Sequence, residues 1–227
     1  MGILLLWCGK RKERMHMNKV IMFLISCDLI LSAGWGFIAP IFAIYLANQI
    51  EGGDIAVAGF ASGIYWISKS IIQPFIARYL DRNHGEIDDF YFLVAGLFVT
   101  ALIPLGYLFA TLPWHLYILE CLHGIAMAAV IPTWAGIFTR HIDKHQEAFE
   151  WSVDSTALGF GAGSAGIVGG MLAETFGFQV VFILVSMFSM VSVLVLFPVR
   201  PLIMPKVKSM RRPPMKKPPF SEEQGSF

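Results

Sequence analysis

The sequence predicts an all-α polytopic membrane protein in which six transmembrane helices form a 3+3 inverted repeat. Three observations carry that prediction. Hydrophobic residues, 56% of the chain against 15% charged, gather in six runs of about 20 to 28 residues, each long enough to cross about 30 Å of hydrocarbon. Lys and Arg are confined to alternate connections. Short motifs of the first three runs recur in the last three. A globular domain carries about a quarter charged residues, so a mean hydropathy of +0.64 excludes an ordinary soluble domain.

Residues 1–19 open on a short apolar stretch, Gly2 to Cys8, and continue into Lys10, Arg11, Lys12, Arg14 and Lys19. A secretory signal places its charges before a longer apolar run, so a basic cytoplasmic segment is expected here instead. The transmembrane domain, 20–199, divides into spans at 20–47, 55–77, 90–111, 114–138, 151–174 and 178–199. Connections this short are expected to make successive spans antiparallel neighbours. With both termini inside, sixteen of the seventeen Lys and Arg fall in cytoplasmic segments and none in the outer loops; the remaining one is Lys69. The positive-inside bias therefore predicts a multi-pass protein of the cell membrane with both termini cytoplasmic. Residues 200–227, rich in Pro, Lys and Arg, lack the apolar content to fold and are expected to form a disordered tail drawn to anionic lipid. Cys8, Cys27 and Cys121 show no paired spacing, which predicts free thiols.

The internal repeat is short. Span one places Pro40 three residues before Ala43, and span four places Pro132 three before Ala135. Gly59-Phe-Ala-Ser-Gly63 of span two is echoed by Gly159-Phe-Gly-Ala-Gly163 of span five. Three spans per copy, an odd number, make the copies inverted.

Ionisable residues inside apolar spans are costly and mark ion or solute paths. Asp28 and Lys69 lie roughly 12 and 13 Å from the inner surface. That depth predicts an ion pair, read either as a proton-exchanging carboxylate with its counter-charge or as a static packing pair. Glu120 and His123 share a face of span four, where they can relay protons or meet a cationic solute, or else snorkel to outer headgroups. Trp35, Phe37, Tyr65, Trp66 and Trp134 fall inside spans and are candidates to line a cavity for an organic solute, with ordinary packing the alternative. Gly159, Gly161, Gly163, Gly166, Gly169 and Gly170 leave a face of span five nearly bare, for close packing that is either static or sliding. His141 and His145 are four apart, but the segment that carries them reads as an interfacial helix. No metal, cofactor or nucleic acid is expected.

Between spans two and three stand Gln73-Pro74, Ala77, Asp81-Arg82 and then Asn83-His84-Gly85-Glu86. Span four holds Leu119, Leu122 and Gly124, with Glu120 at a position often arginine; span five holds Gly161, Gly169 and Gly170, with Ala165-Gly166 where a Gly-Pro is usual. In order and spacing these resemble the N-terminal half of a major facilitator superfamily transporter, over roughly residues 20 to 200. Asp28, twelve residues before Pro40, departs from the acidic position of drug-exporting relatives. The resemblance implies half of a twelve-span fold, in the lipid bilayer, moving a small-molecule substrate by alternating access. It further implies proton coupling, a homodimer that supplies the missing half, and a cytoplasmic cluster of Asp81, Arg82 and Asp154 that steadies one conformation. The competing readings are a non-transporting scaffold or truncated half-transporter, and an intramembrane serine protease built on Ser164 and His123.

Overall fold

The computed structural model describes residues 17–83 and 85–203. Most of the basic N-terminal segment, and the tail from 204 onward, lie outside the described residues. Among those described, every regular element is helical.

The first span is made of α1 (Lys19–Ile38) and α2 (Phe42–Gln49). Asn18 starts it, its side-chain oxygen accepting the Val20 N–H at 3.1 Å, which satisfies one of the free donors of a first turn. Pro40 has no N–H to donate and crowds the turn before it, so α1 stops two residues short of it. Ile41 N–H turns back to Ile38 O at 2.9 Å across the break. There follow α3 (Ile55–Asn83), α4 (Glu86–Tyr107), α5 (Pro113–His141), α6 (Glu147–Phe176) and α7 (Phe178–Leu196), and a 3₁₀ turn leads into α8 (Arg200–Ile203). Pro132, the repeat partner of Pro40, lies inside α5 without ending it. The repeated proline therefore breaks one copy and not the other.

Six helical segments are long and apolar enough to cross a membrane: Lys19–Ile38, Ile55–Arg82, Glu86–Tyr107, Pro113–His141, Glu147–Phe176 and Phe178–Ile203. They correspond one to one with the predicted spans. Their ends reach further than hydropathy suggested. α3 continues past residue 77 through its charged end, and α6 begins at Glu147 rather than at 151. The segment around His145 is accordingly a tight turn, with that residue at a φ of 71°, and no separate interfacial helix forms there.

Successive spans are not, in general, packed neighbours. α1 packs chiefly on α6 and α7, α5 packs on α3 and α4, and α4 packs on α7; of the successive pairs only α4 with α5 makes an extensive contact. Short loops fix where helix ends meet, not which faces fit. This pairing maps onto itself when the first three spans are exchanged with the last three, as an inverted repeat requires.

Small residues explain the α1–α6 pairing. Gly161, Ala165 and Gly169 recur at helical spacing, and a Cβ added at Gly169 would lie 2.7 Å from the Phe37 Cα. On the other side of the seam, a Cβ at Gly36 would lie 2.8 Å from the Ala162 Cα. Close approach of this kind supplies packing where lipid offers no hydrophobic drive. Ser32 Oγ donates to Leu158 O at 2.8 Å across the same seam.

The core divides into two apolar clusters along the bundle. One occupies the near end, which carries Met17 and Ile203, and is built on Leu24, Phe90, Ile137 and Leu196. The other occupies the far end, around Tyr45, Leu46, Tyr107 and Phe182. Between them lies a polar layer in which Ser186 Oγ donates to Ala101 O at 2.8 Å and Ser192 Oγ to Ser189 O at 2.7 Å.

Candidate functional site

In the near half, α1, α5 and α6, together with Tyr65 of α3, line an open-sided cavity of about 630 Å³. Asp28, Trp35, His123, Trp134, Trp151 and Asp154 are among the residues that line it. The volume is that of a small-molecule site. Trp134 packs edge to face with Trp151, ring centroids 5.9 Å apart, and stacks on Phe138 at 4.7 Å. Three polar atoms on the wall are buried without a protein partner: Trp35 Nε1, Trp134 Nε1 and Asp154 Oδ1. Buried polar groups are nearly always paired, so three orphans on one cavity mark it as unlike ordinary core.

A second chamber of about 310 Å³ lies in the far half, lined by Phe42, Tyr107 and Glu120 among others. Trp35, Tyr65 and His123 border both chambers and form the partition between them. The His123 ring stacks on Trp35, centroids 4.1 Å apart at 12°, and meets Tyr65 at 4.7 Å. Glu120 Oε1 accepts the Tyr107 hydroxyl at 2.7 Å, while its Oε2 stands 3.8 Å from His123 Nδ1. Both residues of this pair are buried. The carboxylate and imidazole therefore face the bundle interior, and the headgroup alternative does not apply.

Several expected site residues are placed differently. Asp28 and Lys69 make no ion pair, because α1 and α3 scarcely pack on each other. Lys69 Nζ instead lies 3.5 Å from the Trp66 ring centroid and 5.2 Å from that of Tyr65. Trp66 is turned outward and exposed. Phe37 is buried in the far core, edge to face with Phe188 at 5.3 Å. Of the five aromatics expected to line a cavity, Trp35, Tyr65 and Trp134 do so, and Phe37 and Trp66 do not border this one. Trp151, which sequence reasoning missed, does.

Asp154 is not part of a cluster with Asp81 and Arg82. Because α6 starts at Glu147, Asp154 is two turns inside the helix and opens into the cavity with Asp28. At the near end, charge is organised around Arg140, which pairs with Asp89 and, at 3.3 Å, with Glu86; Asp81 borders the same cleft. Arg82 is exposed at the end of α3 and forms no ion pair among the described residues.

The span-five glycines form two stripes. Gly161 and Gly169 face α1, whereas a Cβ at Gly159, Gly163 or Gly170 would meet nothing, and Gly166 lies between with only loose neighbours. Ser164 Oγ donates to Phe160 O of its own helix at 2.7 Å. It is thus tied back into α6 rather than presented to a base.

Comparison with known proteins accords with this architecture. The chain is 26% identical over 178 residues to the multidrug resistance protein MdtG of Dickeya zeae (strain Ech586), covering 76% of this chain and 42% of that protein. It is likewise 26% identical over 174 residues to an uncharacterized MFS-type transporter of Methanocaldococcus jannaschii, covering 74% and 42%. A second MdtG, from Yersinia enterocolitica, is 25% identical over 164 residues, covering 72% and 39%. The chain thus spans about two-fifths of the length of the curated relatives it matches. The family profile matches residues 24–224, and with the paired six-helix topology it places the chain: it belongs to the Major Facilitator Superfamily.

Proposed function

We propose that the chain transports a small organic solute across the cell membrane by alternating access between two six-helix units, each a copy of this chain, with proton movement coupled to solute. The observation that carries the reading is the cavity walled by α1, α5 and α6, in which Asp28 and Asp154 stand among tryptophans inside a bundle of membrane-spanning helices. A carboxylate charge held away from water needs a counter-charge, and a proton or a solute can supply it in turn. That exchange is the elementary act of coupled transport. Glu120 and His123, behind the partition, are suited to pass a proton toward the far chamber. Trp35, Tyr65 and Trp134 would contact the solute. Lys69, engaged with Trp66, has no part in this scheme. The positive-inside arrangement supports placing both termini in the cytoplasm.

The test is flux in proteoliposomes containing the purified full chain. Uptake of radiolabelled cationic, neutral and anionic organic solutes is measured with and without a proton gradient. Gradient-dependent uptake of at least one class, abolished in Asp154→Asn, is the expected result. A scaffold would show no uptake of any class.

A further inference from the structure

We propose that His115 is a pH-sensitive latch at the far end of the bundle: the neutral ring holds the turn between α4 and α5 closed, and the protonated ring releases it. This goes beyond the transport reading and does not depend on it. In the turn, Leu108, Phe109 and Ala110 direct their N–H groups back to carbonyls of α4. Thr111 and Leu112 find their acceptor in a side chain instead. Leu112, the residue before α5, carries no side-chain oxygen to cap the helix, and the His115 ring takes that part: Nδ1 accepts the Thr111 N–H at 3.3 Å and the Leu112 N–H at 3.2 Å. The His115 N–H in return donates to Leu112 O at 3.1 Å. The turn is also tied sideways, because Thr111 O accepts the Glu51 N–H at 2.9 Å from the connection between α2 and α3. Thr111 further stands with Tyr45, Gln49 and Gln179 on the wall of a vestibule of about 430 Å³ at this end. One imidazole thus steadies two connections and a vestibule wall.

An Nδ1 that accepts carries no proton, so the neutral ring has its proton on Nε2. Imidazole is the side chain that changes charge between about pH 5 and 8. The proton gained in acid goes to Nδ1, the one lone pair left, and a donor then faces two donors. Both bonds are lost together. The charged ring has another partner at hand, for the Trp114 ring lies 3.9 Å away between centroids and an indole face attracts a cation. Neutral and charged ring therefore favour different partners, as a two-state element requires. Other charges do not hold the ring in one state. Among the described residues His115 makes no ion pair, and the groove it borders on α4 and α5 contains no other titratable group. The charged residues of this end are Glu51 and Asp54 on the α2–α3 connection and Glu174 on α6, all exposed; Asp54 accepts the Val57 N–H at 2.8 Å. The positive-inside arrangement supports placing this end outside, where the latch would read external pH.

The experiment follows hydrogen exchange at the Thr111, Leu112 and Glu51 amides of the purified full chain in detergent, between about pH 8 and about pH 5, with rates corrected for the intrinsic pH dependence of exchange. Protection at Thr111 and Leu112 should fall in acid by about fivefold, the worth of a typical helix N-cap, and protection at Glu51 should fall with it. Amides in the middle of α4 and α5 should keep theirs. His115→Asn, whose side-chain oxygen can accept but does not titrate, should show the same protection at both ends of the range. His115→Ala should lack it at both. Equal protection of the unaltered chain at the two pH values would make His115 a plain cap and overturn the proposal. An undiminished acid loss in His115→Asn would overturn it too, by assigning the change to another group. Where the variants fail to fold, Trp114 decides on the native ring: an imidazolium beside an indole quenches it, so the emission that Trp114→Phe removes should drop over the same pH range. A flat titration of that emission rejects the latch.

Discussion

One hydroxyl holds the far-side carboxylate. Tyr107 is almost fully buried, its OH gives Glu120 its only side-chain hydrogen bond among the described residues, at 2.7 Å, and the Tyr107 carbonyl in turn accepts from Tyr45 OH at 2.7 Å. Tyr107→Phe removes the donor and keeps the ring, so a buried carboxylate oxygen loses its partner. Stability should fall by about 1–3 kcal/mol, read from denaturant unfolding in detergent; a loss near zero would mean that Glu120 finds another donor. Tyr45→Phe should cost less, because the carbonyl it serves, at the last residue of α4, also accepts the Ala110 N–H at 3.3 Å. Lys69 offers a second residue-scale test. Its Nζ sits over Trp66, so a double-mutant cycle between Lys69→Met and Trp66→Leu should return a coupling of about 0.5–1 kcal/mol. The same cycle between Lys69 and Asp28 should return none. The sequence showed that a lysine inside a span must find compensation, but equal depth on adjacent spans could not reveal that α1 and α3 turn apart. The compensation is an aromatic ring one turn away on the same helix.

At the scale of the element, α6 shows what periodicity conveys and what it leaves out. Six glycines within twelve residues announce a helix made for close approach. They do not say which stripe meets which neighbour, because glycines at three-, four- and seven-residue spacings share overlapping faces. The stripe of Gly161 and Gly169 is the one that α1 occupies. Gly169→Leu should therefore destabilise the chain by about 1–3 kcal/mol or more through overpacking against the Phe37 backbone. Gly163→Ala, on the open stripe, should leave stability unchanged or raise it by up to about 1 kcal/mol through helix propensity. Thermal unfolding of the two variants side by side checks the contrast, and equal losses would sink it. The start of α6 was harder to read. Hydropathy averages over a window, so the charged first turn from Glu147 to Glu150 reads as an interfacial segment outside the span, which sets Asp154 at the membrane surface instead of on the cavity wall. Trp151 escaped notice for the same reason. It lies one turn from Asp154 on the same face, a spacing that would have flagged it had the helix start been known.

For the whole molecule, the six spans were legible because each apolar run exceeds the length a bilayer requires. The pairing of spans was not, since in lipid a helix need not be amphipathic and no stripe of polarity tells its inner face from its outer one. What the pairing leaves over is specific. In the apolar windows of α3 and α6 only 11% and 17% of residues are buried, against 44–50% in the other four spans. The two are equivalent under the inverted repeat, and both carry glycines, Gly59 and Gly63 on α3 and Gly159, Gly163 and Gly170 on α6, beside which a Cβ would meet nothing. Lipid contact alone would explain exposed Phe60, Ile67, Phe160 and Ile167. It gives no reason for bare backbone on both equivalent helices, which is how one helix admits another at short range. A second copy related by a two-fold axis along the membrane normal would bring these faces together. A single cysteine at Gly163, in a chain whose native thiols are replaced, should then cross-link copy to copy in native membranes, while one at lipid-exposed Met187 on α7 should not. Locking the Gly163 positions together should also stop solute flux, because alternating access requires the two units to rock. A monomeric mass in native membranes, or cross-linking at Met187 as efficient as at Gly163, would remove the second copy from the mechanism.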